Sequence, residues 1–212
     1  MDTDQLIRTL AADNPHRAGP VGFVLALALL AAAPVSLLMF FAELGVRPDV
    51  MTAMHNPFFD LKFAVTLALA AAAITIALHL SRPEASLRGW VWLLIIPAGL
   101  LVGGISGEMM VPQRLPMMTR LVGSNSKVCM TAIPMMSLPL LAASLVGLRH
   151  GAPTRPAAAG AMAGLLSAGL AATVYASHCT DDSPLFVATW YSLATALVTA
   201  LGALLGSKLL RF

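Results

Sequence analysis

The amino-acid sequence predicts an all-α fold, an integral membrane bundle of six transmembrane helices with both termini in the cytoplasm. Apolar residues make up 58% of the 212-residue chain and charged residues only 11%, whereas about 25% of the residues in an ordinary soluble domain are charged. Apolar runs of roughly 18 residues or more recur along the chain, and each fits a hydrocarbon core of about 30 Å. None of these runs alternates with a period of two residues, which excludes a strand barrel.

The apolar windows between charged residues define the six spans. They are 21–44, 61–80, 90–107, 128–148, 157–177 and 185–206. The first window is too long for the h-region of a cleaved signal peptide, about 7–15 residues, and is therefore a span. Ser183 followed by Pro184 predicts the cap and first position of the sixth helix, and Asn125 or Ser126 is expected to cap the fourth.

Small residues and prolines predict how the spans pack. Three glycine pairs are spaced four residues apart, which allows helix backbones to approach closely inside the bundle. These pairs are Gly103 and Gly107, Gly160 and Gly164, and Gly202 and Gly206. Pro134 and Pro139 both lie in the fourth span, where they are expected to bend it.

The distribution of positive charge predicts the orientation. An even number of spans places both termini on one side, and Lys and Arg are more frequent on the cytoplasmic side of membrane proteins. Eight basic residues share the side of the termini: Arg8, Arg17, Arg82, Arg88, Arg149, Arg155, Lys208 and Arg211. Five lie on the other side: Arg47, Lys62, Arg114, Arg120 and Lys127. The termini are therefore predicted to be cytoplasmic, and the net charge of +3 reflects topology and not direct nucleic-acid binding.

Polar residues inside the spans are rare, which argues against transport and catalysis. Glu43 and Glu108 lie at span ends, and no ladder of charged residues crosses the bilayer, as an ion-coupled transporter would normally require. The sequence contains no HExxH zinc helix, GxSxG elbow or P-loop. We therefore expect a protein that is not an enzyme, requires no cofactor and has the lipid bilayer as one partner.

Soft metal-binding side chains concentrate on the side opposite the termini. Cys129 begins the fourth span, and His178 and Cys179 lie in the short loop before the sixth. Five methionines lie in or beside the same loops: Met109, Met110, Met117, Met118 and Met130. Thiolate, thioether and imidazole groups favour Cu(I) and other thiophilic ions, so these eight residues form a hypothetical site for a soft metal ion such as copper.

Several interpretations of these residues stay open. The cysteines could form a structural disulfide, which requires their Cα atoms to lie within about 7 Å. They could also be two free, buried and inert thiols, or a redox- or metal-responsive pair. The methionines could be ordinary apolar packing.

The first 20 residues form the largest segment on the side of the termini. A helix is expected to start at Asp2, Thr3 or Asp4 and to end before Pro15. Leu6, Ile7 and Leu10 would form its apolar face. Such a helix can lie on a membrane surface or dock in a groove of a soluble partner.

Three runs of the sequence resemble one family along its whole length. They are HCTDDSPLFVATWY at 178–191, GSNSKVCMTAIP at 123–134 and RHGAPTRP at 149–156. The opening TDQLIRTLAAD and the RPD at 47–49 agree with the same family. The chain is thereby identified as a member of the NrsF family, membrane-embedded negative regulators of sigma factor F.

The resemblance implies a six-helix anti-sigma factor of the bacterial inner membrane that sequesters an extracytoplasmic-function sigma factor. Because loops 81–89 and 149–156 and the C-terminal stub are short, residues 1–20 are expected to be the cytoplasmic sigma-binding segment, with Leu6, Ile7 and Leu10 in contact with the partner. Residues 21–212 would be the transmembrane sensor domain. In that family two periplasm-side cysteines, which match Cys129 and Cys179, are associated with sensing metal or oxidative stress. Copper, cadmium, chromate and oxidants would all act on such a pair.

Two functions from other classes are alternatives. A small metal or solute permease would need ligands within the membrane, and only the outer third of the predicted bundle has them. A quinone-linked thiol oxidoreductase would normally need two cysteine pairs, and the chain has two cysteines.

Overall fold

The computed structural model describes residues 2–12, 20–112 and 115–211, and every regular element in these ranges is helical. The helices in chain order are α1 (Thr3–Ala12), α2 (Val21–Glu43), α3 (Val50–Ala53), α4 (Pro57–Leu80), α5 (Ile95–Met110), α6 (Met117–Val122), α7 (Ser126–Leu148), α8 (Pro156–Ala176), α9 (Pro184–Phe186) and α10 (Ser192–Leu209). A 3₁₀ turn over Trp90–Leu94 precedes α5, and a π-helical turn over Val187–Tyr191 joins α9 to α10.

Six helical stretches of the described chain are long and apolar enough to cross a membrane. They are Val21–Glu43, Pro57–Leu80, Trp90–Met110, Met117–Leu148, Pro156–Ala176 and Pro184–Leu209. The six predicted spans are thus confirmed as helices, and most predicted boundaries differ by a few residues. The largest difference is at the fourth span, where α6 precedes α7 and a turn at Gly123, with a φ of 59°, separates them.

Helix α8 lies at the centre of the bundle, packed against α4, α7 and α10. It is rich in alanine and glycine, and its buried residues form much of the core. Gly160 and Gly164 of α8 face Gly202 and Gly206 of α10 so closely that a Cβ on any of the four would collide with backbone atoms of the other helix. These two glycine pairs pack as predicted.

The third glycine pair does not pack inside the bundle. A Cβ at Gly103 would meet no atom within 4 Å, and one at Gly107 would only just touch Phe58 at 4.0 Å. Helix α5 presents large apolar side chains such as Ile95 and Val102 outward. The prediction of internal packing is therefore wrong for Gly103 and Gly107, because α5 lies at the periphery of the bundle.

The connections between the spanning helices meet at two ends of the bundle. At one end, Ala152 N donates a hydrogen bond of 2.9 Å to Ser81 O, and Val21 packs against the cluster that holds Leu80 and Leu210. The opposite end, here called the loop end, contains segments 44–56, 115–125 and 177–183. Both cysteines belong to the core cluster near this loop end.

Candidate functional site

The loop between α8 and α9, residues 177–183, is the centre of the site and is called the thiol loop. Cys179 lies in it with its side chain fully buried. Its carbonyl oxygen accepts hydrogen bonds from Lys62 Nζ at 2.9 Å and from Arg47 Nη1 at 3.2 Å. Two cations from the first half of the chain therefore hold the backbone of the loop that carries the thiol.

Asp182 of the thiol loop balances these cations. Its Oδ1 lies 2.7 Å from Lys62 Nζ and 2.9 Å from Arg47 Nη1. Arg47 also pairs with Asp49 through Nε at 2.7 Å. Lys62 is only 1% exposed, and a buried ammonium group is tolerated because it is paired and hydrogen-bonded.

The pairing of Arg47 with Asp49 shifts the pKa of both residues. The side-chain hydrogen bond from Arg47 holds the pKa of Asp49 below its usual range. The same hydrogen bond raises the pKa of Arg47. These two groups therefore stay ionised over a wide range of pH.

Asp181, the neighbouring residue, caps helix α7 from outside. Its Oδ2 accepts hydrogen bonds from Ser124 N at 3.0 Å, Asn125 N at 2.8 Å and Asn125 Nδ2 at 3.0 Å. A carboxylate at a helix N-terminus satisfies free N–H groups and is favoured by the helix dipole. Asn125 is the residue before α7 as predicted, but its side chain makes no capping bond. Asp181 supplies the cap, so that part of the prediction is wrong.

The predicted cap of the last spanning helix is confirmed. Ser183 Oγ accepts a hydrogen bond from Leu185 N at 3.3 Å, and Pro184 occupies the first helical position. The thiol loop is thus fixed at its end by its own cap and at its middle by Asp181 and Asp182.

Cys129 and Cys179 lie in one buried cluster together with Tyr175, Phe186 and Tyr191. Both side chains are 0% exposed, and neither forms a disulfide. Neither thiol is therefore in contact with solvent, and of the open interpretations the structure contains two free, buried thiols. Burial raises the pKa of the Cys179 thiol, which keeps it protonated at neutral pH.

The predicted soft-metal residues separate into a group that is buried or half-buried and a group that is exposed. Met130 packs against the cluster that holds both thiols, and His178 Nδ1 lies 2.9 Å from Gly45 O. The other four methionines are exposed, up to 85% for Met110; they are Met109, Met110, Met117 and Met118. Among the described residues, no group of three or more His, Cys, Asp and Glu side chains could hold a metal ion. Metal binding needs thiolates, so the fully buried Cys179 thiol would have to ionise before it could bind a metal ion.

A second ion pair anchors the segment before α7. Arg120 Nη1 lies 2.9 Å from Glu108 Oε1, and the two side chains are 10% and 3% exposed. Trp190 Nε1, in the π-helical turn, donates a hydrogen bond of 3.0 Å to Leu121 O. Helix α6 is thereby connected to α5 on one side and to the start of α10 on the other.

Helix α1 is confirmed over Thr3–Ala12. Of its predicted apolar face, Ile7 is 58% exposed. The side chains of Leu6 and Leu10 lie outside the described residues. The structure therefore shows one large apolar side chain of α1 uncovered.

Sequence reasoning missed Lys62, Arg47, Asp181 and Asp182 as site residues, because loop charges were counted only for orientation. One signal was available. Lys62 lies inside an apolar run, and a charged residue in such a run is usually paired and functional.

The chain matches the NrsF family, described as Negative regulator of sigma F, over residues 10–212. It is 36% identical over 214 residues to a protein of Caulobacter vibrioides (strain NA1000 / CB15N) named Anti-sigma-F factor NrsF. It is 35% identical over 219 residues to a protein of Azospira oryzae (strain ATCC BAA-33 / DSM 13638 / PS) named Probable anti-sigma-F factor NrsF. Each alignment covers 100% of both chains, and no solved structure matches. The resemblance found in the sequence is thereby confirmed: the chain belongs to the NrsF family of negative regulators of sigma F.

Proposed function

We propose that this chain is an anti-sigma factor of the bacterial inner membrane that sequesters an extracytoplasmic-function sigma factor on the cytoplasmic side. The observation that carries the proposal is the full-length identity of 36% and 35% to two proteins named as anti-sigma-F factors. Six helices of membrane-spanning length and composition support the location. The distribution of Lys and Arg supports cytoplasmic termini, and on this proposal the chain is a regulator and not an enzyme.

Helix α1 is the proposed docking segment, within the sigma-binding region 1–20. Its exposed Ile7 supports this role, because a half-exposed apolar side chain is an anchor available to a partner groove. The spacing of Leu6 and Leu10 in the sequence places them on the same face of the helix as Ile7. Each anchor contributes about 1.5–3 kcal/mol when it is fully buried in the complex.

Residues 21–212 form the proposed sensor domain, with Cys129 and Cys179 as the responsive pair. A two-electron oxidant would accept two electrons from the thiols, which would release two protons and join as a disulfide. A soft metal ion such as copper would instead bind both thiolates, assisted by His178, Met130 and one or more of the exposed methionines. The shared buried cluster of the two cysteines supports the pairing. Their burial requires the thiol loop to open before either reagent arrives.

In this proposal, helices α7 and α2 connect the thiols to α1. Cys129 lies in the first turns of α7, and Ser36 Oγ of α2 donates a hydrogen bond of 2.9 Å to Met136 O of α7. A displacement of α7 against α10, bending at Pro134 or Pro139, would be transmitted to α2, and α2 follows the α1 segment in the chain. A ligand that favours the shifted state by about 2.7 kcal/mol changes the population ratio roughly a hundredfold.

The test is co-purification of the full-length chain from its native membrane, followed by identification of the bound cytoplasmic protein. A sigma factor is expected with the wild type and not with Ile7→Asp. Gln5→Asp is the matched control, because Gln5 is also exposed but lies on the opposite face of α1. Equal recovery of the sigma factor with both variants, at equal membrane abundance, would show that another segment binds it. Recovery of no sigma factor with the wild type would reject the proposed function.

A further inference from the structure

A cleft of about 480 Å³ opens at the loop end between α4, α6 and the thiol loop. Its walls include the charged side chains of Glu108, Arg120, Asp181 and Asp182 and the apolar side chains of Phe58 and Leu115. This volume lies within the range of small-molecule binding sites, about 300–1,000 Å³. The proposed sensor pair does not line the cleft.

The buried guanidinium group of Arg120 in this cleft is not fully hydrogen-bonded. Arg120 is nine-tenths buried, and its Nη1 lies at ion-pair distance from Glu108 Oε1. Neither its Nε nor its Nη1 makes a hydrogen bond with any residue that the structure describes. A buried donor without a partner costs about 1–3 kcal/mol of stability. A ligand oxygen that accepted a hydrogen bond from Arg120 would remove this cost.

Among the described residues, the cations at the cleft are each paired with a carboxylate. Arg120 is matched by Glu108, and Asp182 with Asp49 is matched by Arg47 and Lys62. Asp181 adds a negative charge that forms no ion pair with a described residue and is held at the N-terminus of α7. A ligand suited to these residues therefore offers an acceptor to Arg120 and positive charge toward Asp181.

We infer that this cleft binds a small zwitterion that carries an anionic oxygen and an ammonium group. The oxygen accepts from Arg120 Nε, the ammonium lies on the side of Asp181, and any short apolar portion contacts Phe58 and Leu115. This site is independent of the proposed sigma-factor binding, since it lies at the end of the bundle opposite residues 81–89 and 149–155.

Two sources can supply this chemistry. One is a soluble zwitterion, and the other is the phosphoethanolamine headgroup of a membrane lipid. The cleft follows directly on the last turn of α5, whose Met109 and Met110 are exposed, so a lipid headgroup could also reach it. The two sources share an anionic oxygen and an ammonium group, and the lipid also carries acyl chains.

The experiment uses the purified full-length chain in detergent and measures binding by isothermal titration calorimetry. The probes are O-phosphoethanolamine, inorganic phosphate and ethanolamine. Saturable binding of O-phosphoethanolamine is expected, with at least tenfold weaker binding of the other two. Native mass spectrometry of the chain extracted from membranes then compares retained phosphatidylethanolamine with phosphatidylglycerol.

Arg120→Lys is the discriminating variant, because lysine keeps the positive charge opposite Glu108 but has no Nε. It is expected to weaken O-phosphoethanolamine binding at least tenfold. Arg149→Lys, at the other end of the bundle, is the control and should bind like the wild type. The double variant Glu108→Gln with Arg120→Met removes both charges of the ion pair and should also lose binding. Its thermal unfolding midpoint should stay measurable, which shows that the variant is folded.

The outcomes distinguish a lipid headgroup from a soluble zwitterion and test whether the site exists. Retention of phosphatidylethanolamine by the wild type but not by Arg120→Lys would identify a lipid headgroup, and binding of the soluble probe without such retention would identify a soluble zwitterion. Equal binding of inorganic phosphate and O-phosphoethanolamine would overturn the zwitterion assignment. No saturable binding by the wild type, or unchanged binding by Arg120→Lys, would overturn the site.

Discussion

Lys62 Nζ donates a hydrogen bond of 2.9 Å to the carbonyl oxygen of Cys179. This contact joins the second spanning helix to the loop before the sixth, across 117 positions of sequence. It fixes the backbone beside the thiol and not the thiol itself. The position of the sulfur therefore depends on a charge network that the sulfur does not belong to.

Replacement of Lys62 by Met should destabilise the fold. The substitution leaves the Cys179 carbonyl oxygen and Asp182 with Arg47 as their remaining cation, and breaking a buried ion pair costs about 3–5 kcal/mol. The lower end of that range is expected because Asp182 keeps this second partner. Thermal or denaturant unfolding in detergent measures the loss. Lys127→Met, at an exposed lysine of the same end, should leave the midpoint unchanged.

Removal of the Asp181 carboxylate should uncap α7. Asp181→Ala is expected to cost about 1–2 kcal/mol, the usual penalty for the loss of a helix cap. Glu84→Ala removes an exposed carboxylate at the other end of the bundle and serves as the control. Unfolding midpoints of the two variants in the same detergent provide the comparison, and equal midpoints would argue against the cap.

Cys179 should react slowly with maleimides at neutral pH. Burial raises its thiol pKa, so the reactive thiolate is scarcer than in a free cysteine, whose pKa is about 8.5. The rate should rise steadily between pH 7 and pH 9 without reaching a plateau. The measurement uses Cys129→Ser, which leaves one thiol, with glutathione as the reference. A reaction as fast as that of glutathione would mean that the thiol loop is open at rest.

A single methyl group should have opposite effects at two glycines. Gly160→Ala places a Cβ against backbone atoms of Gly202 and Gly206, and such overpacking costs about 1–3 kcal/mol. Gly103→Ala meets no atom within 4 Å and should stabilise α5 by about 0.5–1 kcal/mol through helix propensity. Thermal midpoints of both variants measure the difference. A similar decrease for both would indicate that α5 also packs at Gly103.

Replacement of either cysteine by serine should abolish the response to oxidant or soft metal while repression persists. The reason is that the docking segment α1 is unaltered in these variants. A sigma-dependent reporter measures both properties in cells. Replacement of the exposed methionines Met109, Met110, Met117 and Met118 should weaken a copper response but not an oxidant response. A double cysteine variant that still releases the sigma factor would reject the sensor proposal.

The spanning helices could be predicted from sequence because long apolar runs have few alternatives, and the Ser183–Pro184 start is a local signal. The site could not be predicted in the same way. Lys62 and Asp182 are 120 positions apart, and each alone looks like a charge at a membrane surface. The burial of Cys179 follows from the contacts of Asp181 and Asp182, which fold its loop inward. No local sequence pattern around Cys179 predicts these long-range contacts.

The order of residues in the ion network has a consequence for biosynthesis. Lys62 and Arg47 are synthesised early, whereas their partner Asp182 emerges after five of the six spanning helices. Until then the ammonium group of Lys62 has neither this carboxylate nor the Cys179 carbonyl oxygen. Nascent chains that end before the thiol loop therefore lack both partners that the Lys62 ammonium group has in the finished fold.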